Sequence, residues 1–293
     1  MGVNYFFYEQ ARWDADERYK NKPTIGTETS SCLSTRGVYF MGDTLRKDYQ
    51  ITSYDKDAPG WGCTPDRQFA TNFQFPHLLG EYVWTGFDYL GEPTPFNSDN
   101  TNLLNFRTDP SKRAELEKQL AELERTQPPS RSSYFGIVDL AGFPKDRYYL
   151  YQSHWRPDLP MAHILPHWNW EGREGQIIPV HVYTSGTEPS LFVNGKSYGR
   201  KVKETGKDFR LVWDSVVYQP GCVKVVAYKD GKQWRKMRYR PQARLRRSGC
   251  RQTVLPLQAV KTNWLRNRDN RGWLRTESTD RLFATESRSD RLW

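Results

Sequence analysis

The sequence has few cysteines, and none of them is placed for a metal site. Its 293 residues include four cysteines, so widely scattered that no Cys-x-x-Cys pair and no Cys/His spacing typical of zinc occurs. This pattern predicts neither a zinc site nor a disulfide framework, and we expect no metal and no cofactor. The redox compartment stays open. The four residues are Cys32, Cys63, Cys222 and Cys250.

Long apolar runs are also absent. No stretch of roughly 18 consecutive apolar residues occurs, so we predict no membrane span. The first eight residues lack the basic start and the small-residue cleavage site of a signal peptide. Taken alone, the sequence therefore leaves the localisation unknown.

Most of the chain carries no excess of positive charge. Residues 235–293 hold 14 Arg and 2 Lys against 5 acidic residues, a net charge of +11, whereas the other residues sum to −1. A charge confined to one Arg-rich segment without helical or strand periodicity indicates a disordered tail. We therefore predict no nucleic-acid partner, although the overall charge is +10.

Aromatic residues, by contrast, are abundant, with 11 Trp and 17 Tyr. Two short apolar segments, residues 23–31 and 81–91, each predict a strand. The first ends in the carboxylate of Glu28, and the second carries the indole of Trp84. A carboxylate and an aromatic ring at the carboxyl ends of neighbouring strands suit a sugar-cleaving site. On residue pattern alone, Glu28 fits helix capping at least as well, and the aromatics fit ordinary core packing.

The order of predicted elements indicates three regions. Strand, helix and strand over residues 2–8, 10–20 and 23–28 form a βαβ unit, whose strands should be parallel. A long irregular stretch, residues 30–66, precedes a helix at 67–79 and a strand at 82–89. An Asp-Pro start predicts a further helix that begins at residue 109 and ends before Pro128. Another helix is predicted at 145–155.

From residue 161 the pattern changes to short strands separated by turn signals, which predicts a β-sandwich with an Asn194-Gly195 hairpin. The predicted strands include residues 201–203 and 222–228. We predict an α/β domain over residues 1–157, an all-β sandwich over 158–234 and an unstructured tail over 235–293.

Residues 130–155 closely resemble bacterial, Bacteroides-like β-galactosidases of glycoside hydrolase family 2, and the resemblance runs from Gly2 to about Trp234. It implies that residues 1–157 are the carboxyl-terminal part of a TIM (β/α)8 barrel, followed by an immunoglobulin-like β-sandwich. It also implies a carbohydrate substrate and double displacement on terminal β-D-galactosides. Glu28 would be the catalytic nucleophile and Trp84 the platform under the sugar. Tyr5, Asn4 and Asp88 would contact the substrate.

The sequence departs from this family at one point. The family's acid/base is a Glu that follows Asn, and no Asn-Glu dipeptide occurs in this chain. We therefore expect a truncated fragment that is inactive alone, with any periplasmic signal peptide upstream of Met1, and with a reading-frame shift as one origin of the tail. A non-catalytic binding or packing module stays open as an alternative. So does a β-glucuronidase or β-mannosidase specificity, and the oligomeric state is unknown.

Overall fold

The computed structural model describes residues 1–5, 13–40, 42, 44–96, 118 and 130–240. Met1–Ala243 form one compact unit, and the second unit, Arg244–Trp293, lies outside the described residues. The predicted helix that begins at residue 109 and most of the predicted tail also lie outside them. The described part is mostly sheet, with few helices.

The amino-terminal half is built around three parallel strands. In chain order its elements are β1 (Gly2–Asn4), β2 (Thr24–Ser30), β3 (Arg46–Lys47), β4 (Gln50–Ile51), α1 (Pro65–Gln74), β5 (Leu78–Trp84) and α2 (Asp146–Trp155). Strands β1, β2 and β5 pair in that order, and both pairings are parallel. The parallel pairing predicted for the first two strands is therefore present. Strands β3 and β4 form a separate antiparallel hairpin.

Local sequence explains where the two helices lie. Helix α1 begins at Pro65, a residue whose fixed φ suits the first helical position, and it buries Phe69. Helix α2 buries Arg147, Leu150 and Tyr151 against the rest of the unit. Phe69, Leu150 and Tyr151 share one apolar cluster with residues farther along the chain, among them Leu165, Tyr183 and Phe209, and this cluster anchors both helices.

Three predicted elements in this half are wrong in extent. The helix predicted at 67–79 spans Pro65–Gln74, and residues 78 and 79 belong to β5. The helix predicted over residues 10–20 gives way to turns and a bend at 15–20, where the Asp16 carboxylate accepts the backbone N–H of Arg18 at 2.9 Å and competes with helical bonding. The strand predicted at 82–89 instead spans Leu78–Trp84. Residues beyond Trp84 bond to another segment, since Asp88 N donates to Val138 O at 2.9 Å.

The second half is a two-sheet antiparallel sandwich. Its strands are β6 (Ala162–Leu165), β7 (Val180–Thr184), β8 (Glu188–Val193), β9 (Lys196–Arg200), β10 (Leu211–Trp213), β11 (Val223–Lys229) and β12 (Lys232–Tyr239). One sheet has the order β10-β7-β6 and the other β12-β11-β8-β9. Alternating side chains from both sheets meet in one apolar core, which includes Ile164, Val182, Leu191, Trp213 and Val225.

Two strands of the sandwich correct the sequence predictions. Strand β9 begins at Lys196 rather than at residue 201, because Asn194 and Gly195 both have positive φ, 50° and 86°, and reverse the chain at once. Strand β12 continues to Tyr239, five residues into the predicted unstructured tail. Its Met237 and Tyr239 side chains pack against the sandwich core, which gives this Arg-rich segment the alternation of a strand.

Candidate active site

Glu28 lies near the carboxyl end of β2, at an irregularity in the sheet. Asn4 of β1 pairs with Glu28 rather than with Thr27, and the pairing with β5 skips from Gly26 to Thr29. Strand β2 therefore carries an extra residue beside both neighbours, as in a β-bulge. The half-buried Glu28 is thereby set opposite Asn4, and Tyr5 N donates to Glu28 O at 2.9 Å. The structure brings Glu28, Asn4 and Tyr5 together.

The phenol of Tyr5 is held beside this carboxylate. Its hydroxyl shares a 2.6 Å hydrogen bond with Ser31 Oγ. Burial raises the pKa of Tyr5 well above its usual range, and the negative charges of Glu28 and Glu92 raise it further. A phenol that stays protonated in this way can donate a hydrogen bond to a carboxylate.

The turn after Glu28 has an unusual backbone. Ser30 and Ser31 both have positive φ, 64° and 58°, although neither is glycine. Ser30 O accepts from Cys63 N at 2.6 Å, and the Tyr151 hydroxyl donates to Ser30 Oγ at 3.2 Å. Partners on both sides hold this strained turn in place, and the turn carries the Ser31 hydroxyl that contacts Tyr5.

An aromatic wall adjoins the carboxylate. Trp61 meets the Tyr5 ring edge-on at 5.1 Å and lies 5.8 Å from Phe135, between ring centroids. Trp84 Nε1 donates to the Tyr89 hydroxyl at 3.2 Å, and that hydroxyl donates to Glu92. Trp61 is 46% exposed, as a sugar-stacking ring would be. Sequence reasoning missed Trp61, which lies in the irregular stretch between strands.

Asp88 belongs to a different group of residues. Its carboxylate forms a 2.6 Å ion pair with Lys145 Nζ and accepts the backbone N–H of Gly136 at 2.7 Å. Burial, and secondarily the charge of Arg147, lower the pKa of Lys145 to about 8. Both oxygens of Asp88 are thus engaged by protein groups rather than aimed at Glu28.

A second carboxyl group near β2 was not singled out from sequence. Glu81 Oε2 accepts from Thr29 Oγ1 at 2.7 Å, and burial raises its pKa to about 7. Asn72 Nδ2 donates to Glu81 Oε1 at 3.4 Å, so both carboxyl oxygens of Glu81 are engaged by protein groups.

Among the described residues, no group of three or more His, Cys, Asp or Glu side chains is arranged to hold a metal ion. In the same part of the chain, no helix is both long and apolar enough to cross a membrane. Cys32, Cys63 and Cys222 are free thiols there.

The candidate site thus combines a carboxylate near the carboxyl end of a parallel strand, a phenol, the exposed indole of Trp61 and the half-buried indole of Trp84. Comparisons with known proteins indicate the family of the chain. Residues 175–235 match the family model "Domain of unknown function (DUF4982)". The chain is 37% identical over 244 residues to beta-galactosidase BoGH2A of Bacteroides ovatus, covering 78% of this chain and 25% of that protein. It is 35% identical to a putative beta-glucuronidase of Formosa agariphila, covering 54% of this chain and 12% of that protein.

Solved structures of glycosidases also resemble this chain. A beta-glycosidase from Bacteroides vulgatus matches with a TM-score of 0.55 and 30% identity, over 75% of this chain and 28% of that one. The fold also matches a glycosyl hydrolase family 2 member from Bacteroides cellulosilyticus, with a TM-score of 0.53 and 20% identity over 83% of this chain and 27% of that one. The chain is thus related to the glycosidases of glycoside hydrolase family 2, which confirms the predicted resemblance. It spans about a quarter of the length of the curated Bacteroides relative.

Proposed function

We propose that this chain carries the nucleophile half of a retaining glycosidase site for terminal β-D-galactosides, with Glu28 as the attacking carboxylate. The observation that carries the proposal is the position of Glu28 on the bulge of β2, opposite Asn4 and beside the protonated phenol of Tyr5. A phenol that donates to a carboxylate orients it and keeps it ionised, which is the state a nucleophile needs.

The parallel sheet that carries Glu28 also supports this assignment. We infer that the parallel β1-β2-β5 sheet is the closing part of a TIM barrel, since barrel active sites form at the carboxyl ends of parallel strands. The immunoglobulin-like sandwich would then follow from residue 158. In the same scheme the exposed Trp61 and the half-buried Trp84 offer ring faces to a pyranose.

Double displacement needs two carboxyl groups. The first attacks the anomeric carbon and forms a glycosyl ester, and the second protonates the leaving oxygen and then activates water from about 5–5.5 Å away. Both carboxyl oxygens of Glu81 are engaged by Thr29 and Asn72, and the family's Asn-Glu dipeptide is not in this sequence. Without a general acid the reaction slows by about 10²–10⁴-fold. This chain alone should therefore form the ester readily only from a substrate whose leaving group needs no protonation, and the ester should then accumulate, because no general base activates the water that hydrolyses it.

The charges around the site favour a neutral sugar. The charges that act on the phenols of Tyr5 and Tyr89 are the carboxylates of Glu28 and Glu92. A uronic acid would bring a third negative charge to this group, whereas a galactoside would not. This observation supports galactoside over glucuronide specificity.

The test uses a leaving group that needs no protonation. The full chain is incubated with a 2,4-dinitrophenyl 2-deoxy-2-fluoro-β-galactoside, and the protein is analysed by intact and peptide mass spectrometry. We expect one fluorohexosyl group per chain, on the peptide that contains Glu28. We expect the matched glucuronide probe to leave the protein unlabelled. Glu28→Gln should abolish labelling, and the exposed control Glu204→Gln should retain it.

Labelling on another carboxylate, or labelling that survives Glu28→Gln, would refute the nucleophile assignment. Labelling by the glucuronide instead would refute the substrate assignment alone. A chain that binds galactose without being labelled would favour the non-catalytic alternative.

A further inference from the structure

Two side chains of the sandwich reach into the parallel-sheet half: Arg210, which precedes β10, and Tyr183 of β7. Arg210 donates to Asp66 Oδ1 at 2.8 Å and to Tyr54 O at 2.6 Å. Its guanidinium also donates to the Tyr183 hydroxyl at 3.2 Å. That hydroxyl in turn donates to Asp55 Oδ2 at 3.3 Å. The sandwich therefore holds the Tyr54-Asp55 segment at two points.

Asp55 forms the next contact, an ion pair with Arg147 of α2. The two charged groups lie 3.2 Å apart, and the side chains of Arg147 and Asp55 are 1% and 0% exposed. Burial raises the pKa of Asp55, and the positive charges of Arg147 and Arg210 oppose that rise. Loss of Arg210 would therefore favour the neutral acid, which holds Arg147 less firmly.

Arg147 holds the backbone that follows the nucleophile strand. Its guanidinium donates to Cys32 O, which is adjacent in sequence to Ser31. The Ser31 hydroxyl shares the 2.6 Å hydrogen bond with the Tyr5 phenol. A shift of the Cys32 carbonyl would therefore move the hydroxyl that fixes the phenol beside Glu28.

The same guanidinium holds a second segment of the site. It donates to Tyr134 O and to Phe135 O, both at 3.2 Å. The Phe135 ring lies 5.8 Å from that of Trp61, the exposed indole of the aromatic wall. One buried cation thus fixes the backbone behind both the phenol and the indole.

From these contacts we propose that Arg210 is a positioning residue for the nucleophile Glu28. It acts through Asp55 and Arg147, which hold the turn after β2 where the Tyr5 phenol can orient the carboxylate. The inference rests on the proposed function. It adds a task for residues 175–235, which match a domain of unknown function: this part of the sandwich keeps the nucleophile strand in its reactive geometry.

The experiment separates the chemical step from binding. The full chain and its variants are labelled with the 2,4-dinitrophenyl 2-deoxy-2-fluoro-β-galactoside over a range of probe concentrations. We expect Arg210→Gln to lower the maximal labelling rate constant about 10–100-fold, because a small displacement of a reacting group has a cost of this size. The probe concentration that gives half of the maximal rate should stay within about twofold.

Two controls come from the same sandwich. Arg200→Gln removes an arginine that is 47% exposed, and it should label at the wild-type rate. Leu191→Ala weakens the sandwich core, and it should also label at the wild-type rate wherever circular dichroism shows it folded. Arg210→Lys should recover part of the lost rate, since its ammonium can still donate to Asp66.

A second variant and a second measurement make the test independent of any one protein preparation. Tyr183→Phe removes only the hydroxyl that joins Arg210 to Asp55, and it takes the place of Arg210→Gln if that variant does not fold. Hydrogen exchange followed by mass spectrometry needs no labelling. The backbone amides of residues 31–34 should exchange about tenfold faster in either variant and at the wild-type rate in Arg200→Gln.

The inference fails if Arg210→Gln and Tyr183→Phe label at the wild-type rate, or if Leu191→Ala slows labelling as much as they do. It also fails if exchange at residues 31–34 is unchanged. In each of these cases labelling of wild type at Glu28 leaves the proposed function standing. A wild-type chain that is never labelled would overturn the proposed function, and exchange would then decide whether the sandwich holds the turn.

Discussion

The parallel-sheet half and the sandwich are stabilised in different ways. The sandwich has one continuous core of 15 buried residues, all of them aliphatic or aromatic. The parallel-sheet half relies on smaller clusters and on buried charges, with Lys145 and Arg147 each 1% exposed. It also leaves Leu79 and Tyr82 of β5 at 71% and 67% exposure. The apolar core of the sandwich is therefore specified by the alternation of apolar residues along its strands. The parallel-sheet half, in contrast, depends on ion pairs that neutralise its buried charges.

The largest effect should come from the buried charges of the parallel-sheet half. Arg147 forms a 3.2 Å ion pair with Asp55 and donates to Phe135 O at 3.2 Å. Arg147→Met removes the cation and leaves Asp55 buried without its partner, which should lower the free energy of unfolding by about 3–5 kcal/mol. Urea denaturation measures it, with the solvent-exposed pair of Arg156 and Asp158 as control. Arg156→Ala should have no measurable effect.

A somewhat smaller effect is expected in the sandwich. Leu191 is fully buried in its core, at 0% exposure. Leu191→Ala should cost about 3 kcal/mol through lost burial and the cavity left behind, whereas the exposed Val202→Ala should stay within about 0.5 kcal/mol. A Leu191 variant as stable as wild type in urea would contradict the view that this core is tightly packed.

The smallest of the three effects depends on pH. Glu81 has a folded-state pKa of about 7, raised from 4.5, mainly by burial. Its contribution to stability is therefore complete below about pH 4.5 and is lost as pH rises through about 7. Glu81→Gln should flatten this part of the stability curve and stabilise the protein by about 1–3 kcal/mol at pH 8 relative to wild type. Thermal unfolding at pH 5 and pH 8 tests it; an unchanged slope would refute it.

Part of this architecture was predictable from sequence because it is local. The apolar run that ends in Glu28 predicts β2, and the Asn194-Gly195 pair predicts the β8–β9 hairpin, since each rests on backbone preferences of adjacent residues. Helix α2 was predicted within one residue of its observed start. In these cases short-range patterning and burial agree.

Other features depend on partners far apart in the chain. Asp88 meets Lys145 across 57 positions, so the sequence could not show that its carboxylate is engaged. Trp61 reaches Tyr5 from within an irregular segment that carries no periodicity. Strand β12 was missed because its Arg and Lys residues indicate a solvated tail unless β11 lies beside them. Such contacts follow from tertiary structure and leave no local signal.

The left-handed turn at Ser30 and Ser31 sets a limit on engineering this protein for heat resistance. Glycine would relax the backbone by about 1 kcal/mol at Ser31, so a screen for thermostability should favour it there. At Ser30 the same change would also leave the buried Tyr151 hydroxyl without its partner. The same change at Ser31 would delete the hydroxyl that anchors the Tyr5 phenol. At Ser31, selection for thermal stability and selection for the proposed catalytic role of Tyr5 would therefore favour different residues.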